Sequence, residues 1–351
     1  MAYTDIDKPS DYFNTKLYTG NGSDAHGITG VGFQPDFVWI KNRVATWNHA
    51  LFDSVRGATK KLESDTTDAE QTAANFLQSF NSDGFTLGTS GTANASGQAN
   101  ASWNWKAGTT GSGTTTGSGT GKAYSYSVST TAGFSIVKYL GNGTAGHTIP
   151  HHLGATPKII FTKIIDSGSF PWWTYSEVIG NTKHLRLNGT NAEDTATTIW
   201  NDTSPTSSVF SVGTNGGVNG NDDPIVAYCF AEKQGYSKFG SYKGNGNANG
   251  TFVYTGFKPA FVLSKRTDTT EQWIIKDNKR ENNFNVQTGT LYANLNNAED
   301  TSAVVYTDNL SNGFKLRGTY NGLNASGGTY IYMAFAENPF VTSTGVPATA
   351  R

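Results

Sequence analysis

Apolar residues in this chain come in short bursts rather than long stripes. Pro35-Asp-Phe-Val-Trp-Ile-Lys41, Pro157-Lys-Ile-Ile-Phe-Thr-Lys163 and Pro259-Ala-Phe-Val-Leu-Ser-Lys265 each hold a brief apolar run between a proline and a lysine. Runs of this length, bounded by turn residues, predict buried strands. Asn81-Ser-Asp-Gly-Phe-Thr-Leu-Gly88 and Asn309-Leu-Ser-Asn-Gly-Phe-Lys-Leu-Arg317 place Asp-Gly or Asn-Gly ahead of alternating positions, the pattern of a turn feeding a strand. Aromatic-rich strands follow at Ala101-Ser-Trp-Asn-Trp105, Val226-Ala-Tyr-Cys-Phe230 and Tyr332-Met-Ala-Phe335. A helical period shows only over 68–80, where Ala73, Phe76, Leu77 and Phe80 fit one face. The segments matching it, Thr195-Ala-Thr-Thr-Ile-Trp200 and Thr301-Ser-Ala-Val-Val-Tyr306, are β-branched, so strand is the expectation for all three.

The bursts recur in a fixed order. Tyr18-Thr-Gly-Asn-Gly22 returns as Tyr139-Leu-Gly-Asn-Gly143 and Tyr242-Lys-Gly-Asn-Gly246. Each is followed by the proline-led run, then by Asp68-Ala-Glu70, Asn191-Ala-Glu193 or Asn297-Ala-Glu299, then by the aromatic strand. The chain is three copies of one unit of roughly 100–120 residues, a domain-sized period. The expected order is an attachment arm (1–14), copy one (15–108), a Gly/Ser/Thr linker or long loop (109–121), copy two (122–235), copy three (236–340) and a polar tail (341–351). The expected fold is all-β: three tandem antiparallel sandwiches of jelly-roll or lectin-like kind.

Composition supports this class. Aromatics make up 13% of the 351 residues and there are 41 glycines, which suits aromatic strands joined by glycine turns. Charged residues are 15% with a net charge of −1, so the basic excess that neutralises phosphates is missing and nucleic acid is not an expected partner. The one cysteine, Cys229, excludes an intramolecular disulfide and reads as a packed thiol. The N-terminus shows no apolar leader, and no run approaches the ~18 apolar residues of a membrane span.

Candidate chemistry is sparse, and no cofactor is expected. Gly121-Lys122 resembles the end of a phosphate-binding loop, but Thr116 and Ala123 stand where a glycine and a hydroxyl are required. His147 and His151 have metal-pair spacing only on a helix, which Pro150 makes untenable. Glu70, Glu193 and Glu299 occur in every copy and read as corners of the fold, although a carboxylate pair could serve glycoside hydrolysis. Asp222 and Asp223 belong to copy two alone and are a candidate Ca²⁺ site. Trp47, Trp173 and Trp273 fall at matching places and are assigned to the core. Trp172, Tyr124, Tyr126, Tyr254 and Tyr320 lack counterparts and are the candidates for binding a glycan or a partner.

Several phrases resemble the repeats of virion structural proteins of marine and freshwater tailed phages. They are Lys238-Phe-Gly-Ser-Tyr-Lys-Gly-Asn-Gly246, Gly256-Phe-Lys-Pro-Ala-Phe-Val-Leu263, Leu310 to Arg317, Asn324-Ala-Ser-Gly, Tyr330-Ile-Tyr-Met-Ala-Phe-Ala-Glu337, Asp53-Ser-Val-Arg-Gly57 and Ala101 to Gly108. The resemblance runs from Tyr12 to Phe340. Copy two departs from it, with Ser207-Ser-Val-Phe210 in place of the Ser-Asn/Asp-Gly-Phe phrase. The resemblance implies a particle component, tail-fibre-like and receptor-binding, with no catalytic residues to assign. The expected associations are other virion subunits as partners through the polar arm, assembly as a trimer, and contact with host surface glycans. A capsid decoration or tail adaptor is the structural alternative; a polysaccharide depolymerase is the enzymatic one.

Overall fold

The computed structural model describes residues 3–280, 285–301 and 305–347. The protein is all-β, 43% strand against 6% helix, with its sheets antiparallel. In copy one, Phe13–Thr19, Ala99–Trp105, Phe37–Asn42 and Ala50–Asp53 form one sheet in that order, and His26–Thr29, Gly84–Leu87 and Leu77–Asn81 form a second. Copy three repeats this with Ser237–Lys243, Thr329–Pro339, Phe257–Arg266, Trp273–Asp277 and Leu291–Tyr292, beside Phe252–Tyr254, Gly313–Leu316 and Thr307–Leu310.

The central strands are apolar on both faces because each face meets a different core. Val38 and Ile40 turn to a cluster inside copy one, as Ile160 does in copy two and Val262 in copy three. Their neighbours Phe37, Trp39, Phe161, Phe261 and Leu263 instead join one cluster shared by all three copies. Trp105 sits within it, with ring centroids 5.2 Å from Phe37, 6.3 Å from Phe230, 5.8 Å from Phe261 and 5.7 Å from Phe335. Each fully buried large side chain contributes roughly 1.5–3 kcal/mol. The copies are therefore held to one another by the same force that holds each together.

The Tyr-X-Gly-Asn-Gly phrase is a docking device within each copy. A Cβ on its first glycine would lie 2.3 Å from Ala95 O at Gly20, 2.2 Å from Gly220 O at Gly141 and 2.3 Å from Ala325 O at Gly244. The second glycine has φ of 70° at Gly22, 71° at Gly143 and 66° at Gly246, which disfavours any side chain. Between them, the backbone N–H of Asn21, Asn142 and Asn245 donates at 2.9 Å to the Oδ1 of Asn94, Asn219 and Asn324 respectively. Gly141→Ala is expected to lower stability by about 1–3 kcal/mol through backbone overpacking, read as a shift of the urea midpoint.

Several expectations need correction. Residues 109–121 are not a linker. Thr109–Thr114 pairs with Ala123–Ser129 at the edge of an eight-stranded sheet, and Thr116–Gly117 pairs with His147–Pro150. The glycines are required there: Gly111 and Gly113 lie opposite Tyr126 and Tyr124, where a Cβ would come within 2.6 and 2.8 Å of the phenol oxygens. This segment gives copy two its third outer strand, beside His147–Pro150 and Val209–Val212. The strand after the turn is kept as Val209–Val212, although the Ser-Asn/Asp-Gly-Phe phrase is missing, but the strand before it, Leu77–Asn81 in copy one, has no counterpart in copy two; Thr197–Trp200 is a short helix there, not the predicted strand, burying Ile199 and Trp200. The strand expected over 301–306 falls partly outside the described residues. The N-terminal arm is not free. Tyr3 donates to Gly256 O at 2.6 Å, Thr4 to Gln234 O at 2.9 Å, and Ile6 enters the shared core. Ser343 N–H donates at 2.6 Å to Asp7 Oδ1, tying tail to arm.

Candidate functional site

Three seams join the copies, and the same bonds recur at each in cyclic order. The strand registers align Asp53 with Ser176 and Asp277, and therefore His49 with Trp172 and Trp273. Each of these rings donates to the neighbouring copy: His49 Nε2 to Tyr292 O at 3.0 Å, Trp172 Nε1 to Glu63 O at 2.8 Å, Trp273 Nε1 to Arg186 O at 2.8 Å. The lysine ending each proline-led run does the same. Lys41 donates to Asn296 O at 3.1 Å, Lys163 to Thr67 O at 2.9 Å, and Lys265 to Thr190 O at 3.0 Å. Burial lowers the pKa of all three ammonium groups to about 8. Glu70, Glu193 and Glu299 complete the clasp, their backbone N–H groups donating to Ile165, Thr267 and Arg43 carbonyls at 2.7, 2.8 and 2.9 Å.

Trp172 is thus a clasp residue, wholly buried, and not an exposed aromatic without counterparts. Trp47, expected in the core, is 43% exposed, and His49 takes the place assigned to it. His49 Nδ1 accepts from Trp39 Nε1 at 2.8 Å, so its single proton is on Nε2. Burial and nearby Lys41 push its pKa down to about 3. The folded pKa lies below the unfolded value near 6.5, so stability is complete above ~6.5 and is lost as pH falls towards 3. Asp65, raised to about 6 chiefly by burial, works the other way between 6 and its unfolded value, offsetting part of the loss. His49 alone is expected to contribute a loss on the order of 3 kcal/mol between pH 6.5 and 4, read as the difference between the wild-type protein and His49→Gln, Asp65 being common to both. Urea titrations at each pH would measure it; parallel slopes would remove His49 as the cause.

Two seams carry a buried carboxylate–guanidinium network. At the seam of copies one and two, Asp53 accepts from Arg56 Nε and from Tyr228 OH at 2.6 Å, and Arg56 Nη1 reaches Glu70 at 3.1 Å. At the seam of copies three and one, Asp277 accepts from Arg280 Nε at 2.6 Å and Trp103 Nε1 at 3.0 Å, while Glu299 takes Arg280 at 2.5 Å and Arg43 at 2.6 Å. Burial opposes the Arg56 charge, but Asp53, Tyr228 and Glu70 outweigh it and raise its pKa.

The seam of copies two and three keeps the glutamate, Glu193, and departs at the other three positions. Ser176 stands for the aspartate, Ile179 for the arginine and Met333 for Tyr228 or Trp103. Glu193 keeps only the Lys183 ammonium. Two cavities open beside it. One, of about 220 Å³, is lined by His184, Arg186, Asn191, Ala192, Glu193 and Asp194. The other, of about 330 Å³, runs past Lys183 and Glu193 to Tyr242, Thr267 and Tyr330 of copy three. His184 is 3% exposed, yet neither ring nitrogen has a hydrogen-bond partner. Its edge meets Trp173, 4.8 Å between centroids, and the Arg186 guanidinium lies 5.5 Å over the same indole. Burial holds the imidazole pKa down at about 4.

The other sequence candidates do not gather at this seam, apart from the corner residue Glu193. Tyr124 and Tyr126 cover the edge glycines and stack with His152, whose ring centroid is 3.8 Å from that of Tyr126. Tyr254 is 55% exposed on the outer strand of copy three, and Tyr320 OH lies 3.5 Å from Glu271. The Asp222 carboxylate is taken by the Lys122 ammonium and the Asn221 amide, and among the described residues no group of three His, Cys, Asp or Glu is placed to hold a metal ion. Cys229 is wholly buried in the outer core of copy two. His184, Arg186, Asn191 and Asp194 escaped sequence reasoning. The signal was there in Ser176-Glu-Val-Ile179 set against Asp53-Ser-Val-Arg56 and Asp277-Asn-Lys-Arg280.

A profile for a domain of unknown function, DUF7483, matches residues 8–339. The chain belongs to the DUF7483 family. The matched span takes in all three copies, in keeping with a core that none of them owns. No curated protein and no solved structure matches the chain.

Proposed function

We propose that this DUF7483 chain is a structural component of a bacteriophage particle, tail-fibre-like, that meets glycans of the host surface by binding, without a catalytic step. The observation that carries the reading is the contrast between seams. Two are closed by the same ionic network; one keeps only its glutamate, with Ser176, Ile179 and Met333 at the other positions, and is bordered by polar cavities. A scaffold conserved within one chain and opened at one place suits a display protein with one specialised contact. The phage repeats that the sequence resembles supply the setting. On this reading the copies are jelly-roll- or lectin-like sandwich domains, and the particle side is the N-terminal arm as it lies on copy three. Several chains, three in the proposed assembly, would turn weak contacts into useful avidity.

The purified protein is expected to compete with intact particles for host cells, reducing adsorption in a dose-dependent way. Antibody labelling of particles should mark the tail. Dense labelling of the head, with no competition for cells, would favour a decoration protein and sink the proposal.

A further inference from the structure

We propose that the seam between copies two and three is a binding site for a neutral, hydroxyl-rich ligand, a saccharide with one ring in each cavity. Four observations support it. First, both nitrogens of the buried His184 lack partners, and among the described residues no other histidine leaves both unpaired. A buried polar group without a partner is costly unless a ligand or water completes it. Second, the register equivalents of His184 are satisfied internally. Lys61 pairs with Glu63, and Thr290 Oγ1 donates to Thr288 O at 3.0 Å. At this register position the unmet capacity is thus special to copy two.

Third, the lining is balanced. Arg186, Glu193, Asp194, Asn191 and the neutral imidazole of His184 line the first space, and Lys183, paired with Glu193, lines the second. An anion would meet the carboxylates and a cation the ammonium and guanidinium. A neutral molecule rich in hydroxyls can donate to the first pair and accept from the second. Fourth, the two spaces, of about 220 and 330 Å³, both have Glu193 on their walls, so two linked rings would lie on either side of one carboxylate. The stacked pair Tyr242 and Tyr330, 4.8 Å between centroids, borders the second space. Small-molecule sites combine such aromatic walls with a few convergent polar groups.

The inference rests on the proposed glycan reading only for the ligand's source, not for its chemistry. The test uses the full chain. Ligand-observed NMR and calorimetry with glucose, galactose, N-acetylglucosamine and their β-linked disaccharides should show binding, tighter for disaccharides. Glucuronate and glucosamine should bind at least tenfold more weakly. Asp194 and Asn191 are exposed; Asp194→Asn and Asn191→Ala should therefore fold normally and weaken binding tenfold or more. Ser176→Asp with Ile179→Arg, which restores the aspartate–arginine pair of the other seams, should abolish binding while leaving the protein folded. Absence of binding by any neutral sugar, preference for the charged sugars, or affinities untouched by these replacements would overturn the proposal. Sugar binding lost in Asp194→Asn while competition for host cells persists would leave the site standing and remove it from host contact.

Discussion

Truncating Trp105 to alanine should destabilise the whole protein, not copy one alone, by about 3–5 kcal/mol. The indole is 1% exposed and touches aromatic rings of all three copies. The cavity it leaves is walled by strands from each, so no single copy can collapse to fill it. Unfolding followed by tryptophan fluorescence and by far-UV circular dichroism should remain one coincident transition, moved to lower urea. Trp47→Ala is the control: on an exposed loop it should change stability by no more than about 0.5 kcal/mol. A Trp105→Ala protein in which copies two and three unfold at their original midpoint, seen by hydrogen exchange, would show that the shared core does not couple them.

Removing Arg280 should cost a comparable amount. Arg280→Leu leaves Asp277 and Glu299 buried without the guanidinium that satisfied both, and uncompensated buried charge costs about 3–5 kcal/mol. The pair itself need not be net stabilising, because desolvation offsets much of its attraction. That distinction is testable. Asp277→Ser with Arg280→Ile installs the residues copy two already uses, and should recover part of the loss. If the double variant is no more stable than Arg280→Leu, the cost lies in lost packing and not in stranded charge. The effect should also exceed that of any exposed pair, such as Lys8 with Asp11, whose loss is worth roughly 0–1 kcal/mol.

The strands were legible because burial on two faces writes a continuous apolar run, as in Phe37-Val-Trp-Ile40. The turns were legible because only glycine fits at Gly20 and Gly22. What the runs could not reveal is that alternate residues serve different cores. A residue facing its own copy and one facing a neighbouring copy are equally apolar, so tandem beads and a common centre predict the same letters. Trp172 and Trp47 were misplaced for a related reason. Alignment by residue type paired Trp47 with Trp173, whereas strand register pairs His49 with Trp172, and a histidine and a tryptophan are interchangeable there because each supplies one ring N–H. The Gly/Ser/Thr segment misled because its apolar cover, Tyr124 and Tyr126, is carried by the adjacent strand and not by its own sequence. The open seam was readable only as a difference between copies, at Ile179 and Ser176, and its residues stand on strands that look ordinary in isolation.

The cyclic pattern of clasps has a consequence for how such a molecule can change. An assembly of three identical chains about an axis must repeat every substitution at all three interfaces, so any replacement that opens one opens all and forfeits the ring. Covalent tandem copies lift that symmetry constraint. Here two junctions keep their arginines as fasteners, and the third is released to vary, as Ser176, Ile179 and Met333 have done together. The link between copies is thus what permits an asymmetric opening in a threefold design, and the position of that opening can drift without endangering closure.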